Sequence, residues 1–318
     1  MQMENDPEFE YDFSDDLVLD DAMEKLCDLR QAAYDNPLSA GTTFAFTPSQ
    51  VAPHLHGRPL PPFVDRLPET GHSYSVVLQE ALYQGRSYNR WGQVWLARVV
   101  DSAATAGDRV LGQVVVKVVQ PSLLILPEAY MDYIPPKKVA YTEDWMYRRL
   151  QSLQGSEIPY YFGIQTVETP CGESAWMLTM EYIQGHTVAQ YLDTLHDNSD
   201  PDHMPVPTDV KPETFDKLKE VFISSLQGVN AIHAQGVLHG DVRPRNMIIS
   251  TAFPAGPLVV YVDLAQGEED VGHARYIDHE EFGATVGAML CCEAHSDPIQ
   301  NWGKSGPLPN GLTYPKLG

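Results

Sequence analysis

Positive charge is scarce in this chain: 21 lysines and arginines stand against 43 aspartates and glutamates, a formal net charge of −22 at pH 7. A phosphate backbone would be repelled by such a protein rather than neutralised, which argues against nucleic acid as a partner. Cysteine is scarcer still. Four are present, Cys27, Cys171, Cys291 and Cys292, and the one close pair is adjacent in sequence, so neither a disulfide framework nor a Cys-x-x-Cys metal site follows. No apolar run approaches the roughly 20 residues needed to cross a bilayer. The beginning of the chain is acidic where a secretory leader needs basic residues followed by an apolar stretch. No internal repeat is present. These absences lead us to expect a reduced intracellular compartment, cytoplasmic or nuclear, and no membrane partner.

What is present is enough apolar material to fold: 43% of 318 residues are hydrophobic, sufficient for one large domain or two small ones. Much of the negative charge sits in the leading "MENDPEFEYDFSDDLVLDDAMEK", expected to be a solvated, partly disordered arm with a short helix over "DDAMEKLCDLRQAAYD". The following "TPSQVAPHLHGRPLPPFVDRLPETG" is too rich in proline for regular helix or central strand. Residues 1–70 therefore read as an acidic, proline-rich, partly disordered extension that adds little to the folded core, though part of it could dock there.

Strand patterns begin after it. "SYSVVLQEALYQG", "GQVWLARVV" and "GQVVVKVVQ" are β-rich runs parted by turn-forming residues. The irregular "PSLLILPEAYMDYIPPKK" leads into "AYTEDWMYRRLQSLQ", whose Trp145, Leu150 and Leu153 fall near helical spacing. Two further strands are expected over "IPYYFGIQTVE" and "SAWMLTMEYI". Beyond Gly185 the character turns helical. "TVAQYLDTLH" is short and amphipathic, and "TFDKLKEVFISSLQGVNAIHAQG" lines Leu218, Val221, Phe222, Leu226, Val229 and Ile232 along one face, with Thr214 as N-cap and Gly236 as terminator. Strands "NMIIS" and "LVVYVDLA" close the readable part.

Between the long helix and those strands lies "VLHGDVRPRN", which sets Asp241, Arg243 and Asn246 on one short loop. An ordinary polar turn has no need of this spacing, whereas chemistry on a phosphoryl group does. A carboxylate can align a nucleophile while a cation and a held metal ion offset charge on the transferring group. The loop resembles the catalytic loop of the protein-kinase-like superfamily, with Gly240 where many protein kinases have arginine. The resemblance runs from about Tyr74 to Leu290 and implies an α+β, two-lobed kinase-like fold. Its N-lobe would span residues 71–183, with an antiparallel sheet and one helix; a shortened α-rich C-lobe would span 184–292, followed by a tail over 293–318.

Carried over residue by residue, the resemblance makes Asp241 the catalytic base or nucleophile-aligning group and Arg243 the cation facing the γ-phosphate. Asn246 would be one magnesium ligand. Asp263, ending "VVYVDLAQ", would be the other; Leu264 and Ala265 follow it where protein kinases have Phe and Gly. Lys117 in "VVVKVV" would contact the α- and β-phosphates of ATP. A buried ammonium needs a counter-charge, and Glu143 is favoured over its neighbour Asp144 because Tyr147 and Leu150 share its face at i+4 and i+7. The glycine-rich loop maps onto "YQGRSYNRWGQVWLA", giving Gly85, Gly92 and Val94 as nucleotide-binding positions. Ser87 and Asn89 stand where glycines are usual, which would make nucleotide affinity modest. Met180, Glu181 and Ile183 would form the hinge around adenine, and Asp278 would anchor the catalytic-loop backbone.

The stretch from Asp263 to Asp278 is short and holds no Ala-Pro-Glu, and the helices with which many protein kinases dock substrates have no counterpart. This pattern resembles Rio-type and aminoglycoside- or choline-phosphotransferase-like enzymes, which also use His-Gly-Asp, and fungal kinase-like proteins. Two functions are expected to compete. One is an ATP- and magnesium-dependent phosphotransferase acting on a protein Ser/Thr or small-molecule hydroxyl. The other is a pseudokinase that binds nucleotide or protein without chemistry. A truncated reading frame is a third expectation consistent with the compact ending.

Overall fold

The computed structural model describes residues 16–51, 53, 57–61, 63–64, 74–83, 92–101, 109–124, 134–195, 212–251, 258–270 and 278. It is a mixed α+β protein that divides into two compact units, one comprising residues 1–51, 61–144 and 161–182 and the other 52–60, 145–160 and 183–318. Among the described residues no helix is long and apolar enough to cross a membrane.

The first unit is built on a six-stranded antiparallel sheet of order β1-β2-β3-β4-β6-β5. These strands are β1 Thr43–Phe46, β2 Tyr74–Tyr83, β3 Gln93–Asp101, β4 Arg109–Val119, β5 Tyr161–Glu168 and β6 Ser174–Glu181. All five strands expected from the β-branched runs are present, and β1 was not foreseen. It lies in the presumed extension, and its pairing with β2 leaves Phe44 and Phe46 buried. The side chain of Gln165 on β5 then acts as a short substitute strand. It donates to the carbonyl of Ala45 and accepts the amide of Thr47 at 3.1 Å, so the two edge strands are tied together. This satisfies part of the edge that an open sheet would leave bare. Phe63, from the proline-rich segment, is fully buried and packs edge-on against Phe162 at 5.1 Å. Parts of residues 1–70 are thus docked and buried, since proline bars the ladder but not the burial of a neighbouring aromatic.

Helix α1 (Asp16–Asp35) is longer than expected. Its Arg30 donates to the carbonyl of Ser122 at 2.6 Å and to that of Leu124. These belong to the 3-10 turn that follows β4, which is also held by the buried Glu173 carboxylate through Ser122 N, Ser122 Oγ and Gln120 Nε2 at 2.8, 2.6 and 2.8 Å. Helix α2 (Pro136–Arg149) begins earlier than expected, since proline is well tolerated at the first helical position. Val139, Ala140, Met146, Tyr147 and Leu150 are buried along it, the apolar stripe of a helix with one face to a core.

The second unit holds α3 (Val188–Leu195) and α4 (Pro212–Ala234). The latter starts at Pro212, so Thr214 lies within the helix and is not its N-cap; Gly236, at φ +76°, ends it as expected. Beside these lie a three-stranded sheet of order β10-β9-β7 and a two-stranded one of β11 with β8. Their strands are β7 Gly185–Thr187, β8 Val237–Leu238, β9 Met247–Ser250, β10 Leu258–Tyr261 and β11 Glu268–Glu269. The apolar face of α4 (Leu218, Val221, Phe222, Leu226, Val229 and Ile232) is buried as its spacing requires. Ser224 Oγ accepts the Val259 amide at 2.8 Å, and Tyr261 donates its hydroxyl to the Ser225 carbonyl at 2.6 Å, fixing β10 to α4.

Candidate functional site

Lys117 lies near the end of β4 with valines on either side, and its register pairs it with Val94 on β3 and Leu178 on β6. Alternation along the strands places Val94, Val115, Lys117, Leu178 and Met180 on one face of the sheet, since Val115 pairs with Met180. Here the lysine is only 5% exposed. Its Nζ stands 2.7 Å from Glu143 Oε2 of α2, with both side chains buried. The neighbouring Asp144, also buried, accepts the Tyr161 hydroxyl at 2.9 Å. Gly92 opens β3 directly over the lysine stem: a Cβ there would come within 3.0 Å of the Val118 carbonyl and 3.4 Å of Lys117 Cγ. Gly85, with Ser87 and Asn89, lies outside the described residues. Met180, Glu181 and Ile183 are buried at and just beyond the end of β6.

In the second unit the loop 239–246 is organised around carboxylates and one buried imidazole. Asp241, 3% exposed, forms an ion pair with Arg243, Nε to Oδ1 2.5 Å, and accepts Asn246 Nδ2 at 2.8 Å on Oδ2. Asn246 Nδ2 also donates to the Asp241 carbonyl at 3.0 Å. A 3-10 turn, Pro244–Asn246, carries the asparagine into β9. Because its amide nitrogen is committed to Asp241, the asparagine's oxygen is the atom turned toward other partners. Arg245, which sequence reasoning passed over, reaches within 3.9 Å of Asp241 Oδ2.

Asp278 binds the loop from outside. Its Oδ2 accepts the His239 amide at 2.7 Å, its Oδ1 accepts the Gly240 amide at 2.8 Å, and His233 Nε2 sits 2.8 Å from Oδ2. This is the anchoring contact that the resemblance implied. The remainder of the helix expected to begin there lies outside the described residues. Burial pushes the Asp278 carboxyl upward, but the hydrogen bonds from His233, His239 and Gly240 outweigh it and hold it below its ordinary value.

The sequence pattern assigns His239 no role, and the structure makes it the hub. It is fully buried against Tyr261, ring centroids 5.6 Å apart. Its Nδ1 accepts the Asp241 amide at 3.3 Å, and its Nε2–H donates to the Val262 carbonyl at 3.2 Å. One nitrogen must therefore be bare, and the neutral ring satisfies both contacts. Burial lowers its pKa below the usual 6.5 despite the attraction of Asp278, Asp263 and Asp241. As the folded value lies below the unfolded one, the unfolded chain binds the extra proton, and stability must fall as pH drops through about 6.5. Asp278 has the opposite protonation but the same sign, its stabilisation being lost at still lower pH. Thermal melts between pH 7.5 and 5.5 should show a declining midpoint, with a shallower decline in His239→Asn; equal slopes would show that this imidazole is not the group excluded from protonation.

Asp263 follows β10 with φ +64°, and among the described residues it is the one non-glycine at positive φ. Aspartate tolerates this region better than most residues, but at a strain of about 1 kcal/mol or more that its surroundings must impose. They do so from both sides. The Val262 amide donates to Asn246 O at 2.9 Å, and the chain turns back at once through Gly267 N to Leu264 O at 3.0 Å. The donor set of Asn246 and Asp263 is one amide oxygen and one carboxylate. Magnesium takes hard oxygen ligands and is usually held by one or two carboxylates together with phosphates, so these residues fit that ion. Among the described residues no group of three His, Cys, Asp or Glu side chains could hold a metal by itself.

Gly240 is explained by the same turn. Its φ is +77°, and a Cβ would lie 2.1 Å from the Gln266 carbonyl oxygen. Pairing of Leu238 with Glu268 brings that carbonyl across the loop. No side chain fits where many protein kinases carry arginine.

No family model matches the chain. It resembles in part a curated protein of Corynebacterium efficiens named "Serine/threonine-protein kinases drp72", at 22% identity over 141 residues, which is 42% of this chain and 24% of that protein. The chain thus spans less than a quarter of the length of the curated relative it matches. The likeness hints at a relationship to kinases and is too partial to establish a family.

Proposed function

We propose that this protein is an ATP- and magnesium-dependent phosphotransferase with the two-lobed architecture of the protein-kinase-like superfamily, acting on a Ser/Thr or small-molecule hydroxyl. The observation that carries the reading is the Lys117–Glu143 pair at 2.7 Å, buried on an otherwise apolar sheet face. Desolvating both charges costs several kcal/mol per ion, and a buried ion pair is a poor source of stability. Its retention on a valine-rich strand is better accounted for by a polyanionic ligand for the ammonium. In this reading Lys117 meets the α- and β-phosphates, Glu143 orients it, and Val94, Met180, Glu181 and Ile183 surround the base. Asn246 and Asp263 would hold magnesium, which when bound supplies charge neutralisation on the phosphates. Asp241 aligns the acceptor hydroxyl, and Arg243 faces the group in transfer. The partial likeness to a protein named as a Ser/Thr kinase supports the same class.

A second reading, a pseudokinase, is favoured by one specific feature. The Asp241 carboxylate is paired with the Arg243 guanidinium and accepts the Asn246 amide, and a cation and a donor that favour its ionised form make it a weaker base. Melting the protein with ATP, with and without magnesium, tests nucleotide binding, because a ligand of the native state must raise the midpoint. Assaying transfer to generic protein substrates and to amino-alcohols and sugars separates the two readings. Asp241→Asn should retain nucleotide-induced stabilisation and lose transfer by about 10²-fold or more. Nucleotide binding with no transfer from the unaltered protein to any acceptor would favour the pseudokinase, and no stabilisation by ATP would sink the phosphotransferase and leave only a pseudokinase that binds protein.

A further inference from the structure

Arg58 lies in the proline-rich stretch that sequence reasoning set aside as an extension, yet it is 2% exposed. Its guanidinium donates from Nη1 to the Ser156 carbonyl at 2.7 Å and from Nη2 to the Ile158 carbonyl at 3.0 Å. Its own amide donates to Gly155 O at 2.6 Å, and its carbonyl accepts the Tyr160 hydroxyl at 2.8 Å. A single residue from far upstream thus takes part in four hydrogen bonds to the loop between α2 and β5. That loop is shaped to receive it. Gly155 has φ +83°, and a Cβ there would lie 2.2 Å from the Tyr160 ring, so only glycine lets the tyrosine reach across to Arg58.

The loop is also a junction. On one side Gln154 Nε2 donates to the Tyr147 carbonyl at 2.9 Å, satisfying a carbonyl that the end of α2 would otherwise leave open. Tyr147 is one helical turn after Glu143. On the other side the Glu157 carbonyl accepts the Tyr261 amide at 2.7 Å, two residues before Asp263. The last turn of α2 and the strand that leads into Asp263 are therefore both fastened to this one short loop, the first by the Gln154 side chain and the second by the Glu157 carbonyl. Irregular loops ordinarily stay exposed because their carbonyls need partners. Here the planar fork of an arginine supplies those partners at a fixed spacing, which an ammonium on a flexible stem could not reproduce.

We propose that Arg58 is a positioning residue: it locks the 154–160 loop, and through it the last turn of α2, one turn beyond Glu143, and the strand β10 that leads into Asp263. The segment around residues 57–60 is then an intramolecular strap on that loop, and this rests on the reading above only in its nucleotide readout.

Hydrogen–deuterium exchange on the full chain tests the strap without nucleotide. Arg58→Ala should speed exchange by about tenfold over residues 154–158, over the last two turns of α2 and at the Tyr261 amide, while β2, β3 and β6 keep their protection. Arg58→Lys should fall between the two. Unchanged protection in α2 and at Tyr261 would overturn the proposal. Should Arg58→Ala not fold, Tyr160→Phe, which removes a single bond to Arg58, is read at the same amides with the same criterion. Nucleotide affinity supplies the functional arm. Arg58→Ala should weaken ATP binding about tenfold in the native background and have no further effect in Glu143→Gln, because both act through one ion pair. Full additivity of the two changes would refute positioning through Glu143. Absence of ATP binding in every form would sink the phosphotransferase reading and leave the exchange result to decide the strap.

Discussion

Lys117→Met will destabilise this protein by about 3–5 kcal/mol, the cost of stripping one partner from a buried ion pair. Methionine preserves the apolar stem, so the loss is not one of volume. What changes is that Glu143, buried along with the lysine and 2.7 Å from its nitrogen, loses its counter-charge and must either hold a buried charge alone or take up a proton, both at a cost. Replacing both, as Lys117→Met with Glu143→Leu, should recover most of the stability, since a hydrophobic pair of similar size is often as good as a buried ion pair. Urea unfolding followed by tryptophan fluorescence measures all three proteins. Neither variant should be stabilised by ATP with magnesium. A single substitution as stable as the unaltered chain would mean that the pair is not buried as described. An ATP-stabilised double variant would remove Lys117 from the nucleotide site.

Gly240→Ala should be nearly as damaging. The left-handed backbone costs an alanine about 1–2 kcal/mol, and forcing a methyl into a filled space adds about 1–3. The obstruction is a carbonyl, Gln266 O at 2.1 Å, with its carbon at 2.8 Å. It cannot swing aside as a side chain could without moving the turn that follows Asp263. Gly172 provides the control. It too has positive φ, +82°, but nothing lies within 4 Å of its virtual Cβ, so Gly172→Ala carries the backbone strain alone. Thermal melting should therefore rank Gly172→Ala well above Gly240→Ala. Equal midpoints would show that the contact with Gln266 yields easily. The same geometry predicts that Gly240→Arg, with its larger side chain, disrupts the loop.

Much of the element order could be read from the chain. Strands β2 to β6 announce themselves through β-branched alternation, and α4 through its apolar stripe. The buried partner of Lys117 was also legible, because helical spacing puts Glu143 on the face of Tyr147 and Leu150, and Glu143 is where the ion pair forms. Strand β1 was not legible. Four residues between turns carry too little periodicity, and nothing local marks the later strand β2 as their partner. The start of α4 was misplaced at Thr214 because a capping residue and a proline at the first turn give competing signals, and the proline prevails.

The sequence by itself determined where the candidate side chains fall in the order of elements. Asp241, Asn246 and Asp263 stand on short loops beside strands, and Lys117 stands out among valines because burying an ammonium is costly. Those are local facts of composition and spacing. Only the tertiary structure decided that His239 is neutral, that Gly240 has no room for a side chain, that Asp278 holds the loop from outside, and that Arg58 belongs to the core. Each depends on a backbone carbonyl or amide supplied by a residue far away in sequence. Backbone groups are the same in every residue, so sequence patterns carry no trace of where they will meet.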